Sequence, residues 1–156
     1  IQLYLDKNNG NTSLGARFEM WKSALEMAKE KPLFGWGIQG ATEKRKQETK
    51  EKIVTGNIGK FTHAHNQYLD DLSKRGIVGL LALLAVLFIP LRAFMKKLST
   101  TNDEVNLIAT LGVAHILSVM IYGLSQGFLV HNSGTIFYFF LTIVFYAAIR
   151  THQKAE

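Results

Sequence analysis

Apolar residues in this chain are gathered into its second half. Residues 1–75 are rich in Lys, Glu, Asn, Gly and Thr, whereas 76–150 are mostly apolar. A water-soluble domain interleaves the two kinds, because each element needs one face for a core and one for water. Three apolar runs fill the second half, at 77–95, 105–130 and 135–149. A helix crossing a bilayer needs roughly 20 residues, with about 17–25 typical. The first two runs meet that length, and the third does so once Asn132, Ser133 and Gly134 join it. A buried core helix is rejected for the third run, since no soluble elements remain to bury three such helices. The expected fold class is therefore all-α: a polytopic integral membrane protein. Three transmembrane helices occupy 76–150 and a short cytoplasmic tail 151–156. A large helical segment, 1–75, lies in water before them.

The chain opens on Ile1 with no signal-peptide pattern and is read as a piece of a longer protein. It has no cysteine, which excludes disulfides and thiolate metal sites. The net charge of +6 fits basic loops beside membrane spans, or an anionic partner such as a phosphorylated lipid or a diphosphate. Nucleic acid is not expected, because the basic residues sit beside the spans and no nucleic-acid motif is present. Arg92 lies near the end of the first run and Lys96 and Lys97 follow it, while Arg150 and Lys154 follow the third. With three spans these ends share one side, the cytoplasmic one by the positive-inside rule. Segment 1–75 and the turn around His131–Gly134 then face outward; long segments cross largely regardless of their charge.

Within 1–75, a helical pattern runs from about Ala16 to Lys31, with Phe18, Trp21, Leu25 and Ala28 on one stripe. Glu19, Lys22, Glu26 and Lys29 lie away from that stripe. Ser13 can cap this helix, and Pro32 and Gly35 end it. The glycine-spaced turn at Gly35, Gly37 and Gly40 is not a nucleotide loop: no strand precedes it and no Gly-Lys-Ser/Thr follows. The strongly charged stretch 42–62 reads as a solvated, partly helical or disordered loop. Tyr68, Leu69 and Leu72 form a short apolar face on a further helix, for which Thr62 is a candidate N-cap.

Several side chains can carry chemistry. His63 and His65 precede the first span. At i and i+2 they do not face one way on a helix, so they make a poor two-ligand metal site. His65 alone can act as a base; with Thr62 as cap it would lie in the first turn, at a helix end that welcomes anions. Arg17 lies one turn before Trp21, and its fork can grip a phosphate bidentately or form an ordinary surface ion pair. His115 and Gln126 fall inside the second apolar run, where hydrogen bonding between helices is the expected role.

Four pieces of sequence then join. Ser13-Leu-Gly-Ala-Arg17-Phe-Glu-Met-Trp21-Lys-Ser-Ala24-Leu25 comes first, and Pro32-Leu33-Phe34-Gly35-Trp36-Gly37 follows. His63-Ala64-His65-Asn66-Gln67-Tyr68-Leu69 and Gly76-Ile77-Val78-Gly79-Leu80 complete the order. Together, over roughly residues 13–95, they resemble the O-antigen ligase and polymerase family, here its C-terminal portion. The nine residues between Asn66 and Gly76 are similar to the spacing in its lipopolysaccharide ligases. The resemblance implies a multi-pass protein of the bacterial inner membrane whose active site faces the periplasm on a large loop. It implies a membrane glycosyltransferase that moves O-polysaccharide from undecaprenyl diphosphate to a sugar hydroxyl of the lipid A-core oligosaccharide. Inversion by single displacement is expected, with membrane lipid around the site and neither nucleotide nor metal as cofactor. His65 would be the base or orienting group and Arg17 the grip on the diphosphate. Trp21 and Asn66, from the same motifs, join the substrate-binding set, with His63 behind His65. Lys60 and Arg75 are further phosphate contacts suggested by charge rather than by the motif. An O-antigen polymerase or a protein O-oligosaccharyl ligase would share this donor chemistry. A lipid-carrier transporter or flippase is the rival of another class; it would use charged groups deep in the spans, and no acidic residue lies within the three apolar runs.

Overall fold

A computed structural model describes residue 10 and residues 12–154 of the chain. Every regular element among them is helical. They are α1 (Ser13–Glu30), α2 (Gly37–Lys50), a 3-10 turn at Ile58–Lys60, α3 (Gln67–Met95), α4 (Asp103–Gly123), a 3-10 turn at Phe128–Val130 and α5 (Asn132–Lys154). The all-α expectation holds, and α3, α4 and α5 are each long and apolar enough to cross a membrane. The third run gains its length from Asn132, Ser133 and Gly134, where α5 begins. The second run is not helical throughout. α4 stops at Gly123, so Gln126 lies in the connection after the helix and not within a span.

The chain forms two compact units, divided within α3. The second holds Leu84–Gly123 and the described residues from Phe128 onward. Its helices meet through small residues and hydrogen bonds rather than a thick core. A Cβ added at Gly112 would lie 2.7 Å from the Phe94 ring, so that glycine lets the ring in. The Tyr138 hydroxyl donates to the Val86 carbonyl at 2.7 Å, and His115 Nε2 lies 3.2 Å from the Tyr138 carbonyl. This is the interhelical role expected of His115. Leu107, Ile121, Ile136, Phe140 and Ile143 turn outward instead of packing, as suits a lipid surround.

The first unit holds the described residues up to Leu83 together with Leu124–Gly127. Thr12, not Ser13, caps α1: its hydroxyl accepts the Gly15 N–H at 3.0 Å. The buried face of α1 is also rotated from the expected stripe. Met20, Ala24 and Met27 are buried, Leu25 is exposed, and Glu19, expected on the wet face, is buried with Ser23. Glu19 turns inward because its carboxylate accepts the Thr55 N–H at 2.9 Å. Met20 and Ala24 pack with Val54, Ile58 and Ala64, and Trp21, Phe61 and Leu69 close over them.

The charged stretch corrects the sequence reading most. The stretch is partly helical, as α2 runs through residue 50, but it is not simply solvated: Ala41, Arg45 and Glu48 of α2 are buried on one face. Glu48 accepts from the Ser23 hydroxyl, and Arg45 Nη1 donates to the Phe61 carbonyl at 3.1 Å. Charged residues with internal partners can line a core face, and hydropathy does not detect that.

Gly76 interrupts α3 with φ 65° and ψ −163°, a conformation open essentially to glycine alone. A Cβ there would also meet the Leu33 backbone at 2.3 Å. We expect Gly76→Ala to cost about 1–3 kcal/mol of backbone strain. The measurement is the thermal unfolding midpoint of the purified full-length protein in detergent. An unchanged midpoint would show that the break tolerates a side chain.

Candidate active site

The loop from Thr62 to Asn66 is fixed by its smallest side chain. Ala64 is fully buried. Its N–H donates to Asp70 Oδ1 at 2.9 Å, and its carbonyl accepts from Trp21 Nε1 at 3.0 Å. Both of its backbone polar groups are thus held by side chains from two different helices. Thr62 does not cap α3. Asn66 does, its Oδ1 accepting the N–H groups of Tyr68 and Leu69 at 3.1 and 3.0 Å. His65 therefore stands just outside the helix rather than in its first turn.

His65 adopts φ +49°, which is uncommon for a residue with a side chain. That backbone turn alters the geometry expected of an i, i+2 pair. The rings of His63 and His65 lie 4.4 Å apart, and Phe61 meets His65 edge-on at 5.4 Å. Lys60 places its ammonium 5.1 Å from the centre of the Phe61 ring.

The most informative contact is one the sequence reading missed. His65 Nδ1 lies 2.8 Å from Gln126 Oε1, in the segment after α4. An amide oxygen only accepts, so Nδ1 is the donor. In the neutral ring Nε2 then keeps its lone pair. Asn66 Nδ2 donates to the Leu124 carbonyl at 3.1 Å, which holds the same segment against the loop. Asn66, expected among the substrate contacts, spends its polar atoms on the cap and this tether.

Beneath the loop lies a buried ionic cluster. Asp70 Oδ2 is 2.6 Å from Lys74 Nζ, and both side chains are buried. Burial pushes the Arg45 guanidinium below its usual range, while Asp70 and Glu48 act in the opposite direction. Arg45 Nε and Nη2 meet no hydrogen-bond partner among the described residues. Burial raises Glu48, opposed by its bond from Ser23.

The remaining candidates are placed less tightly. Arg17 is half-buried on α1, four residues before Trp21, and so on the face that Trp21 turns to the loop. Arg75 is half-exposed and pairs with Asp71. Lys60 is exposed. No hydrogen bond or ion pair among the described residues joins Arg17, Lys60 or Arg75 to His65.

Comparison with known proteins gives the family. The family model described as "O-Antigen ligase" matches residues 2–84, which take in α1, α2, the histidine loop and the start of α3. An uncharacterized protein of Haemophilus influenzae is 48% identical over 145 residues, covering 93% of this chain and 36% of that protein. The exopolysaccharide production protein ExoQ of Rhizobium meliloti is 27% identical over 124 residues, covering 76% of this chain and 28% of ExoQ. The chain thus spans about a third of the length of these relatives. With its three apolar helices and its histidine loop, this chain of a multi-pass bacterial membrane protein belongs to the O-antigen ligase family.

Proposed function

We infer that the full-length protein transfers O-polysaccharide from undecaprenyl diphosphate to a sugar hydroxyl of lipid A-core oligosaccharide, on the periplasmic side of the inner membrane. The observation that carries this reading is the His65–Gln126 pair, which leaves Nε2 as a proton acceptor in a loop pinned by Trp21 and Asp70. In the proposed step the acceptor oxygen attacks the anomeric carbon and its proton passes to His65 Nε2. The bond to the diphosphate oxygen breaks with inversion, and undecaprenyl diphosphate leaves with the bonding pair. Diphosphate is already a good leaving group, so the protein has to orient the acceptor, remove one proton and hold the departing charge. Arg17 is assigned that charge, with Lys60 and Arg75 as further phosphate contacts and His63 beside the base. Trp21 and Asn66 act by holding the loop.

The test is transfer of lipid-linked polysaccharide to rough lipopolysaccharide by the purified full-length protein. Transfer supports the ligase reading. Lengthening of the donor glycan alone would identify a polymerase, and modification of a protein acceptor an O-oligosaccharyl ligase. Movement of the lipid carrier without any new glycosidic bond would mark a transporter.

Arg17→Lys should lower transfer about 10-fold while keeping the charge, since an ammonium cannot reproduce a bidentate fork. Wild-type transfer by that variant would make Arg17 structural.

A further inference from the structure

The turn at 32–38 has no part in the step above, yet it carries the most exposed large apolar residues of α1, α2 and their connection. Phe34 is 73% exposed, Ile38 61% and Leu33 59%. This display is held rigidly. The Trp36 N–H donates to the Ser73 carbonyl at 3.0 Å. The Ile77 N–H donates to the Pro32 carbonyl at 2.8 Å, and the Val78 N–H to the Leu33 carbonyl at 3.3 Å. Those last two donors are groups that the break at Gly76 would otherwise leave unpaired. The turn is therefore fastened to the first residues of the first span.

The depth of that point follows from length. Residues 77–95 rise roughly 28 Å at about 1.5 Å each, which is no more than the ~30 Å hydrocarbon core. A helix this short reaches both faces of the core only if Ile77 sits at one of them. The turn bonded to Ile77 and Val78 then lies at the same level, where acyl chains meet headgroups.

The chemistry of the neighbouring residues suits that level. Trp36 donates from Nε1 to the Met27 carbonyl at 3.1 Å, and half-buried tryptophans are at home at membrane interfaces. Lys31 Nζ lies 4.0 Å from the Trp36 ring centre and Lys44 Nζ 5.1 Å. Lys44 also pairs with Glu30 at 3.0 Å, so Lys31 carries most of the cationic character, and a cation beside exposed apolar side chains matches an anionic lipid surface.

We propose that the 32–38 turn, with Lys31 and Lys44, is an interfacial anchor that sets Leu33, Phe34 and Ile38 into one leaflet and favours anionic headgroups. It fixes the height of the first unit above the acyl chains, and it does not depend on which acceptor the protein uses.

The test uses the full-length protein, freed of cysteine, in nanodiscs of phosphatidylcholine with or without phosphatidylglycerol. A spin label is placed at Phe34→Cys and, separately, at Ile38→Cys. Lys29→Cys on the wet face of α1 is the reference. At 34 and 38 collisions with oxygen should exceed those with a water-soluble nickel chelate, and at 29 the order should reverse. Phosphatidylglycerol should deepen the labels at 34 and 38, and Lys31→Glu combined with Lys44→Glu should abolish that deepening. Nickel access at 34 and 38 equal to that at 29 would overturn the proposal by placing the turn in water. Protection from both reagents would overturn it by showing that protein covers the turn. Depths that ignore both the lipid charge and the lysines would overturn the anionic preference.

Discussion

Replacing His65 with alanine should lower glycan transfer by about 10²–10⁴-fold, the usual contribution of a positioned general base. Protein level and membrane insertion should not change, because the loop is held through Ala64 and Asn66 and not through the His65 ring. Gln126→Ala separates proton placement from the base itself. It keeps the ring but removes the acceptor at Nδ1, so the Nε2 lone pair is no longer favoured. Its loss should be smaller than that of His65→Ala and should appear in kcat more than in KM. The readout is single-turnover transfer with the donor bound beforehand. Full activity in His65→Ala would end the base assignment. Equal losses in the two variants would mean that the pair acts only as a tether.

Much of the fold was legible because apolar spans announce themselves by length and composition. The existence of α3, α4 and α5 followed from the sequence, but the turn expected over His131–Gly134 did not hold, since Asn132, Ser133 and Gly134 already belong to α5. Their ends were less legible: Ser125 and Gln126 sit in an apolar surround, and the stop at Gly123 was passed over because the apolar run continues beyond it. The polar segment was harder still. Its buried face carries Glu19, Arg45 and Glu48, whose partners Thr55, Phe61 and Ser23 lie far along the chain, and periodicity counts such residues as wet. The short spacing Ala41, Arg45, Glu48 could have signalled a helix face, but not which way it points. For the candidate site, the histidine loop was found by motif. Its geometry was not, because the position of His65 depends on a left-handed backbone and on Gln126, 61 residues later. A chemical role can be read from a residue type, whereas the group that fixes its proton has to be brought near by the fold.

Asp70→Asn should destabilise the first unit by about 3–5 kcal/mol, the usual cost of removing one partner from a buried ion pair. Asp70 is 1% exposed and serves two purposes. One oxygen holds the Ala64 N–H, and the other faces the buried Lys74 ammonium at 2.6 Å. The amide keeps an acceptor for Ala64 but leaves Lys74 a buried cation without its counter-charge. Arg45 loses one of its two acidic neighbours as well, and two of its nitrogens already have no hydrogen-bond partner among the described residues. The expected sign is therefore set by charge, not by packing, since Asn and Asp have nearly the same volume. Lys74→Met added to Asp70→Asn removes the stranded cation and should restore most of the loss. The measurement is the denaturation midpoint of the purified full-length protein, compared among wild type, the single variant and the double. A single variant as stable as wild type would show that the cluster adds nothing to stability. A double variant no better than the single would trace the loss to the other partners of Asp70, the Arg45 guanidinium and the Ala64 N–H, and not to Lys74.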